Sequence, residues 1–207
     1  MSVTIEISGL QELQSLFERG PEAAEIAERL AVNDTIDWAR RQASKRIRGE
    51  IAFRARYLGN GDDDGALSVP KKSRGSGDYA VLRARNDARS LASFATPRFG
   101  PGKRNPKLRV GTGRSTNIER GFGVRLRRGN ADIDSENYNL GLAIRLKPGE
   151  RVQNKTRMRA FGTSGLYLLY GPSVAQVFDD VAIEMRDEVA NYLADQFVRQ
   201  FVRLTRG

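Results

Sequence analysis

The side chains most used for catalysis at neutral pH are missing from this chain. Its 207 residues include no histidine and no cysteine. Thiol nucleophiles, disulfides, Cys/His zinc sites, histidine-ligated haem and every Ser-His-Asp arrangement are thereby excluded. A general base at pH 7 would have to be an Asp, Glu or Lys with a shifted pKa, and no carboxylate pair stands out from the solvated charges. Gly111-Thr112-Gly113-Arg114-Ser115-Thr116 approximates a phosphate loop, whose pattern is G-x-x-x-x-G-K-[ST]. Here Arg114 replaces the lysine, Leu108 stands where the first glycine should be, and strand patterns flank the motif. The run Asp62-Asp63-Asp64 lacks the alternate spacing and later Glu of a calcium loop, so it reads as solvated. The expectation is a non-enzyme with no cofactor, no metal and no small-molecule substrate.

The chemistry that remains is charge. Lys and Arg number 35 against 25 Asp and Glu, a net charge of +10. Residues 1–50 are net -2, residues 51–172 net +14, and residues 173–207 net -2. An excess confined to the middle of a chain points to an anionic partner for that region. No apolar run approaches the roughly 18 residues of a membrane span, and the opening MSVTIEISGL lacks the basic start and apolar core of a secretory signal.

The elements that must position these charges follow from periodicity. Val3, Ile5 and Ile7 alternate as a short strand, and Leu10, Leu13, Leu16 and Phe17 follow at helical spacing. Pro21 suits the first turn of a helix running to about Glu50, with Glu22 and Glu25 early and Arg40, Arg41, Lys45, Arg46 and Arg48 late. Ile26, Leu30, Ile36, Ala39, Ala43 and Ile47 form its apolar stripe, with Trp38 beside it. Residues 58–77, rich in glycine, predict a flexible loop insertion. From there the period is two. Leu82 and Ala84, then Leu108 and Val110, then Phe122, Val124 and Leu126, then Tyr138, Leu140, Leu142 and Ile144 alternate with polar or basic positions. This predicts an antiparallel meander packed on one side, with Arg109, Arg125, Arg127, Arg145 and Lys147 sharing the opposite, anion-facing side. Leu166 to Tyr170 reads as a buried strand. Gly171-Pro172-Ser173 stops it, and Ser173 can cap the next helix.

From Val174 to about Leu204 no Gly or Pro intervenes. A helix of that length, roughly 45 Å, outruns a single small domain. It must kink, or Phe197, Phe201 and Leu204 must meet another subunit. The whole reads as a single α+β domain over 1–207, with an antiparallel β-sheet flanked by a long N-terminal and a long C-terminal helix. Phe122 and Tyr138 fall on the apolar face rather than among the arginines, so the basic face lacks stacking platforms. No zinc-finger, helix-turn-helix or RNP pattern is present. A non-specific polyanion or an acidic protein is the expected partner.

The order of strand, long helix, basic sheet and then LYLLYGPSVAQVF (Leu166–Phe178) leading into a long helix resembles the minor tail protein Z family of tailed bacteriophages, the tail completion proteins. Val152 to Phe161, with Arg157 and Arg159, is similar to that family's basic lead-in. The resemblance covers most of the chain in layout and about 25 residues in wording. It implies an α+β fold shared with head–tail connector and tail terminator proteins. It implies a structural virion protein at the head-proximal end of the tail, made in the host cytoplasm. There it would complete the tail and join it to the head as a homo-oligomeric, hexameric ring. Its partners would be tail tube, terminator and connector proteins, with non-specific DNA contact as a further one. The alternatives are a terminator ring that stops tube growth and a non-specific nucleic-acid-binding protein.

Overall fold

A computed structural model describes residues 20–59, 65–96, 99–126, 139–151, 157–162 and 165–205. The expected strand at Val3–Ile7, the helix at 10–17, the Asp62–Asp64 run, Arg127 and Tyr138 lie outside the described residues. The fold is α+β, with a long N-terminal helix, a long helical C-terminal region and antiparallel sheets. The sequence reading treated the chain as one domain. Its packing divides into two compact units interleaved along the chain. The first takes 1–47, 54–85 and 174–207, and the second takes 48–53 and 86–173.

In the first unit, α1 spans Pro21–Glu50, with Glu22 in its first turn and Arg48 in its last, as the macrodipole favours. Its buried residues are Ala24, Ala27, Ala31, Thr35, Ala39, Ala43 and Ile47. The predicted large residues Ile26, Leu30 and Ile36 are only half-buried. The stripe is made of small side chains because large ones fill the space from the other side. Leu193, Phe197 and Phe201 pack on Ala24, Ala27 and Ala31, with Leu204 at the edge. An alanine loses no side-chain entropy on burial, and each aromatic removes a large apolar area from water.

The C-terminal region kinks. It forms α3 (Val174–Glu184) and α4 (Arg186–Thr205), after the short α2 (Ala55–Leu58) earlier in the chain. Hydrogen bonds run through the break, from Met185 N–H to Val181 O at 3.0 Å and from Val189 N–H to Met185 O at 2.9 Å. No Gly or Pro lies there, so the bend has no local sequence signal. Met185 is buried at the bend.

The expected loop at 58–77 is largely structured where it is described. Strand β1 (Leu67–Lys71) pairs antiparallel with β2 (Val81–Ala84), with a register shift between Ser68 and Lys71. Pro70, which has no N–H to donate, sits in that shift. The glycine- and serine-rich stretch after β1 is clipped to α1 by side chains. Asn33 donates to Ser73 O at 3.0 Å and accepts from Ser73 N–H at 2.8 Å. Lys72 pairs with Asp37 at 2.6 Å, and Gly77 N–H donates to Glu28 at 2.9 Å. Composition suggested a loop, but the helix side chains satisfy its backbone groups.

The second unit holds two sheets. One has the order β3–β4–β5 (Ala95–Thr96, Lys107–Leu108, Thr116–Asn117). The other has the order β6–β7–β9–β8, formed by Phe122–Leu126, Asn139–Arg145, Leu166–Leu169 and Met158–Ala160. Two hairpins join through β7 and β9, so the arrangement is not a simple meander. The core gathers Ala92, Ala95, Leu108, Leu142 and Leu169. Leu142 and its neighbour Ala143 are both 0% exposed. Successive residues point to opposite faces, so this sheet is covered on both faces, not on one. Gly171 has a packing reason: a Cβ there would come within 3.1 Å of Leu91 and Phe94 side chains. Ser173 is buried, and its hydroxyl donates to Asn86 Oδ1 at 3.2 Å. The Ala175 N–H at the start of α3 donates to Arg85 O.

Candidate anionic-partner surface

Charge is divided between the two units as it is along the chain. The second unit holds 18 basic and 7 acidic residues, a net charge of +11, whereas the first holds 17 and 18, a net charge of -1. Its carboxylates are too few to neutralise all of its cations.

Register decides where they lie. Arg125 in β6 stands opposite Leu140 in β7, so it shares a face with Leu140, Leu142 and Ile144, the side that builds the core. Arg145 stands opposite Leu166, on the other face. The expected common face for Arg125 and Arg145 is therefore not formed. Each arginine alternates correctly within its own strand, but the pairing of β6 with β7 sets the two strands' arginines on opposite sides. Arg109 lies just past β4, in the other sheet, and its guanidinium donates to Thr112 O at 2.7 Å. Lys147 lies beyond β7, in a turn.

The register aligns a different set on one face, at the margins of a covered centre formed by Ala143 and Leu168. Arg104 bridges to Phe122, Phe122 pairs with Ala143, Ala143 with Leu168, and Leu168 with Arg159. These five positions form one row across one face, and Arg145 lies two residues from Ala143 on that same face. Arg104, Arg145 and Arg159 are all exposed. Strands lie about 4.8 Å apart, so Arg104 and Arg159 mark the two ends of a row four strand steps wide. The Arg159 guanidinium lies 5.4 Å from the Tyr170 ring centroid, a cation–π contact that fixes its direction. Sequence reasoning missed Arg104 because it sits in a Gly/Pro-rich stretch. Arg159 was noted only within the basic stretch Val152 to Phe161, and its place in β8 was not anticipated.

One acid is engaged internally. Arg120 grips Glu150 with two nitrogens, at 3.2 and 2.7 Å, and Lys147 N–H donates to the same carboxylate at 2.8 Å. These bonds lower the Glu150 pKa to about 2, the Arg120 hydrogen bond first and the Lys147 amide second. The same pairing raises the pKa of Arg120. Arg120 has φ 63° and Asn105 φ 50°, and Asn105 Oδ1 accepts from Arg120 N–H at 3.0 Å. That bond stabilises a backbone conformation that non-glycine residues seldom adopt.

The residues expected at a subunit contact are placed otherwise. Phe197 and Phe201 lie in the first unit's own core, stacked with centroids 6.1 Å apart, and Leu204 packs at its margin. Burial against the alanines of α1 takes Phe197 and Phe201 off the surface, whereas Leu204 is only half-buried. The Gly111–Thr116 stretch leads into β5 rather than a helix, so no helix N-terminus stands behind it to receive phosphate. Among the described residues, no group of three or more Asp or Glu side chains is placed to hold a metal ion, and no helix is long and apolar enough to cross a membrane. No protein-family model matches the chain, and neither the curated proteins nor the solved structures contain a significant match.

Proposed function

We propose that this chain is a structural protein of a bacteriophage tail, acting at the head-proximal end to complete the tail and join it to the head as a ring, six-fold by preference. The observation that carries the reading is the +11 charge gathered in one compact unit, which suits adhesion to an anionic surface. The chain order supports it too: a long helix, antiparallel sheets, and the β9 strand passing through Gly171-Pro172-Ser173 into α3. In this reading the protein works by adhesion and geometry in the virion, with tube, terminator and connector proteins as its neighbours.

Imaging the purified chain tests it: rings of a few copies are expected. A monomer at high concentration that adds to neither heads nor tails would remove the reading. Particles made without the protein separate the completion role from the terminator role. Tails of normal length that stay unjoined indicate completion, and tails of uncontrolled length indicate a terminator. The same charge favours a second reading, a non-specific nucleic-acid binder. Duplex affinity that falls steeply with salt in a chain that forms no ring would favour it.

A further inference from the structure

The first unit carries a basic feature of its own, independent of the tail reading. An open groove of about 340 Å³ lies between α1 and α4. Arg199 and Arg203 enter it from one face of α4, one turn apart, and Arg41 enters from α1. Tyr192, stacked on Trp38 with centroids 4.3 Å apart and planes 8° from parallel, forms a rigid wall.

Two acids also line the groove, and both are engaged. Asp34 Oδ2 accepts from Gln200 Nε2 at 2.7 Å, and Asp37 Oδ2 is paired with Lys72 Nζ at 2.6 Å. Among the described residues, no acceptor is within hydrogen-bonding or ion-pairing reach of the guanidinium groups of Arg41, Arg199 or Arg203. Like charges at i and i+4 on a helix repel, so Arg199 and Arg203 side by side gain from an anion between them. A planar guanidinium meets oxyanions through paired N–H groups. Three guanidinium groups around one depression match the three terminal oxygens of a phosphate monoester better than the two of a diester.

We propose that this groove is a binding site for a dianionic phosphate, free or as a monoester, held by Arg41, Arg199 and Arg203. The open mouth leaves room for the ester group outside. Asp34, which also lines the groove, opposes the anion and weakens its binding.

The test is a titration of the full chain, followed by amide NMR, with inorganic phosphate, methyl phosphate and dimethyl phosphate. Saturable shifts at 34–41 and 192–203 are expected with the first two, at a Kd of about a millimolar. Dimethyl phosphate should bind at least about tenfold more weakly. Arg199→Gln with Arg203→Gln changes only exposed positions and should abolish saturation while the circular dichroism spectrum is kept. Asp34→Asn should tighten binding. Inorganic phosphate and methyl phosphate binding alike would leave the free ion and the monoester equally acceptable, whereas a clear preference identifies the source. The site is overturned if phosphate gives no saturable shift, if the double variant binds like the parent, or if dimethyl phosphate binds as well as phosphate. It is also overturned if reversing Arg104, Arg145 and Arg159 removes the phosphate shifts. None of these outcomes bears on ring formation or head–tail joining, so failure here is distinct from failure of the tail reading.

Discussion

The two units solve the same electrostatic problem in opposite ways. The first matches many of its charges internally, with the groove arginines Arg41, Arg199 and Arg203 as exceptions. Arg46 holds Glu188 with two bonds at 2.6 and 2.7 Å, Lys72 holds Asp37, and Lys71 holds Asp78 at 2.6 Å while lying 3.4 Å from the Tyr79 ring centroid. Seventeen bases and eighteen acids make such matching available. The second unit, with eighteen bases and seven acids, cannot do this. One ion pair there, Arg120–Glu150, uses one of the few acids present. Exposed pairs add little stability, typically about 0–1 kcal/mol each. The contrast therefore concerns what each surface presents outward, not how firmly each unit folds.

The largest effect should come from the first unit's core. Phe201→Ala removes an aromatic packed on the alanines of α1 and should lower stability by about 3–5 kcal/mol, read by denaturant unfolding. A loss of assembly with unchanged stability would instead return this residue to a subunit contact. In the second unit, a Cβ at Gly123 would collide with the Gly100 carbonyl, a backbone atom that cannot swing away. Gly123→Ala should cost about 1–3 kcal/mol. Gly75→Ala in the first unit, where nothing lies within 4 Å, should stay within about 0.5 kcal/mol of the parent.

Charge reversal sharpens the comparison further. Arg104→Glu, Arg145→Glu and Arg159→Glu together should shift stability by no more than about 1 kcal/mol. If duplex DNA is the partner, they should reduce the log–log salt slope of binding by up to about 0.9 per lost phosphate contact. Reversing Lys45, Arg83 and Arg186 in the first unit should leave that slope unchanged. Equal effects from both sets would mean that only net charge matters.

The smallest effect is the pH dependence of two acids, one in each unit. Glu150 falls from an ordinary 4.5 to about 2, and Asp78 from 3.8 to about 2, where Lys71 and then the Arg74 and Tyr79 amides hold it. A pKa lowered in the folded state contributes stability above the ordinary value and loses it as pH falls toward 2. Acid titration of the parent against Glu150→Gln and Asp78→Asn should show each variant with a flatter decline between about pH 4.5 and 2. A parallel decline in all three would place the acid sensitivity elsewhere.

What the sequence determined by itself was local. Pro21 at the start of α1, the break at Gly171-Pro172-Ser173, the period-two runs of β6 and β7, and the charge asymmetry all depend on residues close together in the chain. Such signals act through backbone propensity and side-chain alternation, which need no distant partner. The tertiary structure decided the rest. Period two fixes how side chains alternate within a strand, but the pairing of strands fixes which of those sides coincide, and this placed Arg125 and Arg145 on opposite faces. The buried stripe of α1 took the expected Ala39, Ala43 and Ile47 but, in place of Ile26, Leu30 and Ile36, Ala24, Ala27 and Ala31, beside which Leu193, Phe197 and Phe201 fill the space. The bend at Met185 and the fastening of 72–77 to Glu28, Asn33 and Asp37 likewise come from groups remote in sequence. Packing and hydrogen-bond satisfaction across such distances are properties of the folded chain, because the partners are brought together only by folding.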